Sequence, residues 1–169
     1  VDRGKISIVR ERLLLLLVAG CTQNPPVDPC AAKPVIAGGS AELGLGTSFA
    51  PIVDGQTVDL ERGLQGLWMF MINARARDMD VGSGDREAAI DVAALDQSGT
   101  TISLETGCRV REFTPASNGA LQLYSPYALP LDPSIAQLDG AKITIRIELR
   151  DHDGRRAIDE RTIVAHQPF

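Results

Sequence analysis

Residues 67–77 and 142–150 show the clearest pattern in the chain, apolar and polar side chains alternating one by one. In the first run Trp68, Phe70, Ile72, Ala74 and Ala76 share one face, with Met69, Met71, Asn73, Arg75 and Arg77 on the other. A period of two is that of a half-buried β-strand, so the first set predicts a core face. In the second run Ile143, Ile145, Ile147 and Leu149 oppose Lys142, Thr144, Arg146, Glu148 and Arg150. A slip of one residue would bury four charges, which sets the register firmly. Asp151-His152-Asp153-Gly154 supplies turn chemistry, and residues 157–165 return as a last strand, predicting a terminal hairpin. Shorter strands are expected at 57–60, 100–104, 109–113 and 121–124, with turns at 96–99 and 117–119. Residues 86–95 suit a helix capped by Asp85, but Ile90, Val92 and Ala94 alternate into the Asp96 turn, and we read a strand. One helical turn is expected at 133–138, with Asp132 as cap, Pro133 in first position and Gly140 as terminator. The spacing predicts an all-β sandwich over residues 47–169.

The N-terminus has a different texture. Arg3, Lys5, Arg10 and Arg12 precede an apolar run, residues 13–19, too short to cross a bilayer as a helix, which is the anatomy of a secretion signal. The run ends in Val18-Ala19-Gly20-Cys21, which resembles the lipobox of bacterial lipoproteins. The resemblance implies a signal peptide over 1–20, cleavage after small residues, and diacylglycerol on the Cys21 thiol. It further implies an exported chain held in the cell envelope, with Thr22 after the cysteine pointing to the outer membrane or cell surface. Acyl chains hold a protein through about 0.8 kcal/mol for each buried methylene, so two or three anchor it durably. Residues 21–46 then read as the lipidated cysteine and a Pro/Gly-rich tether, with Pro25-Pro26 and Gly38-Gly39 as punctuation.

The stretch LDPSIAQLDGAKITIRIELRDHDGRRAIDERTIV, residues 131–164, resembles the last crossover and final hairpin of bacterial immunoglobulin-like and fibronectin-III-like domains. It implies an immunoglobulin-like antiparallel β-sandwich. Ala141 and Lys142 stand where that pattern has a tyrosine, and no Cys, Trp, Cys core spacing is present.

Charge and chemistry narrow the function. The chain of 169 residues carries 17 basic and 22 acidic side chains, so no excess of positive charge is available for nucleic acid. Removing residues 1–20 takes away four basic and two acidic residues, leaving 13 against 20 and an acidic domain expected to stand off an anionic membrane. Serine-hydrolase elbows, Walker loops and dinucleotide fingerprints are absent, and the two histidines, His152 and His166, cannot build a three-histidine metal site. A non-catalytic binding or structural module without cofactor, with an envelope protein as possible partner, is therefore expected. The alternative is a carbohydrate- or calcium-binding accessory domain. For calcium the candidates are two acidic loops, Asp78, Asp80 and Asp85 in one and Asp151, His152 and Asp153 in the other, although Asp is also a routine turn residue. For a sugar they are Tyr124 and Tyr127 around Pro126, which equally suit packing. Met69 and Met71 mark either a sticky face or one covered by a loop. With Cys21 lipidated, Cys30 and Cys108 remain as an even pair in an oxidising compartment, either bridged or as two separate thiols.

Overall fold

The computed structural model describes residues 30–31, 35–81, 87–104 and 106–168. Residues 1–20, read above as a signal peptide, and Cys21 lie outside them, as does Asp85. The described chain forms two sheets. Sheet A has the order β1 (Ile36–Ala37), β13 (Arg155–His166), β12 (Lys142–Arg150), β7 (Ala88–Leu95) and β8 (Arg109–Arg111), and β4 (Thr57–Asp59) also pairs with β13. Sheet B runs β3 (Ala50–Pro51), β2 (Ser40–Leu45), β6 (Trp68–Arg77), β10 (Leu121–Leu123) and β9 (Phe113–Pro115), with β5 (Glu61–Arg62) and β11 (Tyr127–Pro130) also on β6. The chain passes from β6 in one sheet to β7 in the other and closes on the β12–β13 hairpin. The fold is an all-β sandwich of two sheets, with β1 and β4 lying parallel to the last strand.

The alternating runs explain the layers. Phe70, Ile72 and Ala74 of β6 face Ile90 and Val92 of β7 and Ile143, Ile145, Ile147 and Leu149 of β12, all essentially inaccessible to water. Of the stretch read as a strand, Ala88–Leu95 forms one in register with β12, Ile90 opposite Leu149 and Val92 opposite Ile147. Leu43 closes the core from β2, and its N–H donates to Asp159 Oδ2 of β13 at 2.8 Å, tying the two sheets at their edge. At the 96–99 turn, Asp96 Oδ1 accepts from the Ser98 hydroxyl and the Ser98 and Thr100 amides, which holds its carboxyl below the usual aspartate range.

Five expectations need correction. Ser40–Leu45, read as tether, is a strand paired with residues 72–77, because Leu43 and Leu45 fill the core beside β6 and two glycines at 38 and 39 supply the turn into it. The helical turn at 133–138 is a β-turn. Asp132 Oδ1 accepts from the Ser134 amide, and the next amide donates to the Asp132 carbonyl, so no α-helical bond starts there. Residues 100–104 make isolated bridges, Thr101 to Leu95 and Ser103 to Leu131, in place of a continuous strand. The strand read at 109–113 is two strands, since the chain leaves β7 after Arg111 and joins β10 at Phe113, changing sheets. Trp68, expected in the core, is only partly buried, with the Arg62 guanidinium 5.8 Å above its ring.

Candidate functional site

The acidic loops were the first candidates, and the topology brings their described parts together. The loop after β6 and the turn after β12 lie at one end of the sandwich, where the Asp80 amide donates to Asp151 Oδ2 at 2.9 Å. Asp151 is 1% exposed, and its other oxygen accepts the Arg155 amide at 2.8 Å. The Arg155 guanidinium lies 3.7 Å from Asp151 and 3.3 Å from Asp153, and reaches the Asp78 carbonyl at 3.5 Å. The first strand joins the same end, the Ile36 amide donating to the Gly154 carbonyl at 2.9 Å. Asp78 adopts φ 56°, a left-handed conformation that aspartate tolerates better than most residues, and Met79 and Val81 beyond it are buried. The carboxylate of Asp151 is thus spent on main-chain amides, and an arginine occupies the space between the others. No group of three or more His, Cys, Asp or Glu side chains able to hold a metal forms among the described residues.

A second site lies on the outer side of sheet B towards the other end. There β6 is bordered by half-strands. On one side β2 covers residues 72–77 and β5 covers Trp68 and Met69, while on the other β10 covers Arg75 and Ala76 and β11 covers residues 69–72. The upper part of this face is roofed by the turn at 46–49. Asn73, nominally outward, is fully buried because its Nδ2 donates to the Gly46 carbonyl at 2.6 Å. Phe49 folds onto Gly44, where a Cβ would lie 2.5 Å from the ring, and Arg75 stacks over that ring at 4.0 Å. The sequence carried one usable signal for this roof, a glycine in the middle of an alternating strand.

The lower part is left as a groove of about 930 Å³, floored by Met69, Ala128 and Pro130 and walled by the 63–67 turn on one side and by Leu104, Arg111, Glu112 and Tyr124 on the other. Three side chains stand exposed at its rim: Leu64 at 110%, Tyr124 at 69% and Leu104 at 48%. Of the two tyrosines, Tyr127 is buried beneath the Arg111 guanidinium, 5.5 Å from its ring, and only Tyr124 offers a free face. Of the two methionines, both are half-buried, Met69 against Gly63. The open edge of β11 is blunted. The Leu131 amide donates to the Trp68 carbonyl, so in antiparallel register the backbone groups of Ala128 and Pro130 point away from β6. Proline has no N–H, and its carbonyl already accepts from Leu104 at 2.9 Å, leaving a short edge poorly suited to pairing with another strand.

Cys30 and Cys108 are joined by a disulfide, their Cα atoms 5.7 Å apart across 78 residues of chain. The sequence matches no known family model and no curated protein.

Proposed function

We propose that this chain is a bacterial envelope lipoprotein, anchored through acyl chains on Cys21, whose immunoglobulin-like sandwich is a binding or structural module for another envelope protein and performs no catalysis. The groove carries this reading. Large apolar side chains left in water are costly, and Leu64, Leu104 and Tyr124 surround one concave apolar surface instead of being scattered. The acidic loops are weaker candidates because their polar groups satisfy one another. Anchoring is tested by metabolic labelling with a palmitate analogue: the wild type takes up label and Cys21→Ser does not, and label persisting in Cys21→Ser defeats the reading. Recognition is tested by placing a photo-crosslinking residue at Tyr124 or at Asp153 in cells. An adduct with an envelope protein is expected from the groove position alone.

A second reading, a carbohydrate-binding accessory domain, is favoured by one observation: the exposed Tyr124 ring beside Arg111, Glu112 and Gln65, planar polar groups suited to sugar hydroxyls. Retention on immobilised polysaccharide that is lost in Tyr124→Ala distinguishes it.

A further inference from the structure

The large apolar side chains exposed on the described chain fall into two sets. Leu64, Leu104 and Tyr124 ring the groove. The others, Val35, Ile36, Val53 and Ile158, gather along one edge of sheet A, where part of the β13 backbone has no neighbouring strand.

That edge is interrupted because the chain lining it changes sheets. β1 lies beside β13 as far as Arg156, then the chain turns at Gly38 and Gly39 and becomes β2 of sheet B. It returns at the 53–56 turn, where the Gly55 amide donates to the Thr162 carbonyl at 2.7 Å and Asp54 Oδ1 accepts from the Thr162 amide at 2.8 Å, and β4 follows from Val164 onward. Residues 157–161 lie between, a gap of about 16 Å at about 3.3 Å per residue. The bonds at Thr162, and that from the Val164 amide to the Gln56 carbonyl, mark the even-numbered residues of β13 as those whose backbone groups point away from β12. Pairing with β12 is unbroken, so the same parity holds through the gap. The N–H and C=O of Ile158 and Glu160 therefore point out of the sheet, and among the described residues nothing pairs with them. The gap is closed on its inner side by β2, whose Leu43 amide is bound to Asp159 Oδ2.

We propose that this gap takes up a short, uncharged extended segment of a partner protein, rich in β-branched residues, as an added strand. Such a segment gains backbone hydrogen bonds at Ile158 and Glu160, while Ile158 in the middle, Ile36 at one end and Val53 at the other supply apolar contact. The charged side chains of the gap are already paired, Glu160 with Arg146 at 3.3 Å, Arg161 with Asp159 at 2.9 Å and Arg156 with Glu148, which leaves a charged segment nothing to pair with. A second copy of this chain does not fit edge to edge, because its β13 is 12 residues long and would run into β1 at one end and the 53–56 turn at the other. The occupant has to bend away from the edge at both ends, as a flexible segment can. The site lies on the other sheet from the groove, and neither depends on the other.

The test is amide hydrogen exchange on the full chain in detergent micelles, with an end-blocked peptide of alternating threonine and valine as the probe. In the free protein the Ile158 and Glu160 amides are expected to exchange far faster than those of Asp159 and Arg161, which face β12. Saturating peptide is expected to slow the Ile158 and Glu160 amides several-fold and to leave Ala128 in the groove unchanged. The same peptide N-methylated throughout should have no effect, and Ile158→Glu should weaken binding of the unmethylated one. Ile158 and Glu160 amides already protected in the free protein overturn the proposal, as does an absence of protection by the peptide or equal protection by its methylated form. Protection that rises with protein concentration alone gives the edge to a second copy, and slowing confined to Ala128 gives the peptide to the groove; either result overturns the proposal as well.

Discussion

Sheet A is built of whole strands and sheet B of halves, and the two behave differently as surfaces. Nine consecutive residue pairs join β12 to β13, and seven join β12 to β7, so the outer side of sheet A is an unbroken surface on which Arg146, Glu148, Arg150, Arg156 and Glu160 form ion pairs beside Leu95, Ile158 and Val164. In sheet B one long strand is flanked by pieces that stop midway. Small side chains stand opposite the outward ones of β6 in its middle and lower part, Gly44 opposite Asn73, and Ala128 and Pro130 opposite Met71 and Met69. One such stretch is roofed by Phe49 and the Gly46 turn, and the other, around Met69, is left as the groove. Continuity produces a face whose charges are paired with one another, and interruption produces an apolar concavity.

The comparison is tested hardest at the strand that carries the interruption. Phe70→Ala is expected to cost about 3–5 kcal/mol, because the ring is fully buried where both sheets meet. Trp68→Ala, two residues earlier and partly open beneath Arg62, is expected to cost clearly less; equal losses in urea unfolding would return Trp68 to the core. Removal of the disulfide comes next. Closing a loop of this length stabilises by up to about 4 kcal/mol in the chain-entropy model, and Cys30→Ser/Cys108→Ser should approach that loss in denaturant midpoint. A change below about 1 kcal/mol would mean that the unfolded chain gains little freedom when the bond is absent.

Glu148 sharpens the contrast from the side of sheet A. Burial alone would raise its carboxyl, but hydrogen bonds from Arg156 and Arg150 together with their charges hold it below the usual glutamate range. A carboxyl with a lowered folded value contributes stability that is fully present above its unfolded value and is lost as pH falls through the folded one. Stability of the wild type should therefore drop on acidification below the ordinary glutamate range, and Glu148→Gln should flatten that limb while costing about 1–3 kcal/mol at neutral pH. An acid limb unchanged in Glu148→Gln would assign it to other carboxylates. The smallest expected effect is at the groove. Leu64→Ser with Tyr124→Ser removes exposed side chains and should shift stability by no more than about 0.5 kcal/mol while eliminating the crosslinked adduct; a large loss of stability would make the rim part of the core.

The two candidate sites were unequally legible. Asp78, Asp80, Asp151 and Asp153 are visible as turn residues, but that Asp151 turns inward to hold the Asp80 amide depends on two loops 71 residues apart meeting at one end. Tyr124, Met69 and Met71 were visible one by one. The groove was not, because its rim adds Leu64 and Leu104 from segments whose composition reads as turn and strand, and their exposure depends on what fails to cover them.

The sequence by itself determined the strands that alternate with a strict period of two, the register of the hairpin that would otherwise bury four charges, and the layered class of the fold. These are local: hydrophobic burial acts on each alternating run separately, and one misplacement turns a whole face over. Tertiary structure alone decided that Ser40–Leu45 is a strand, that the chain changes sheets between Arg111 and Phe113, and that one half of the outer side of β6 is covered while the other stays open. Runs of two to six residues carry too few side chains to fix their own partner. They take whichever edge the long strands leave unpaired, because a buried backbone amide or carbonyl without a partner costs more than any preference such a short segment has for itself.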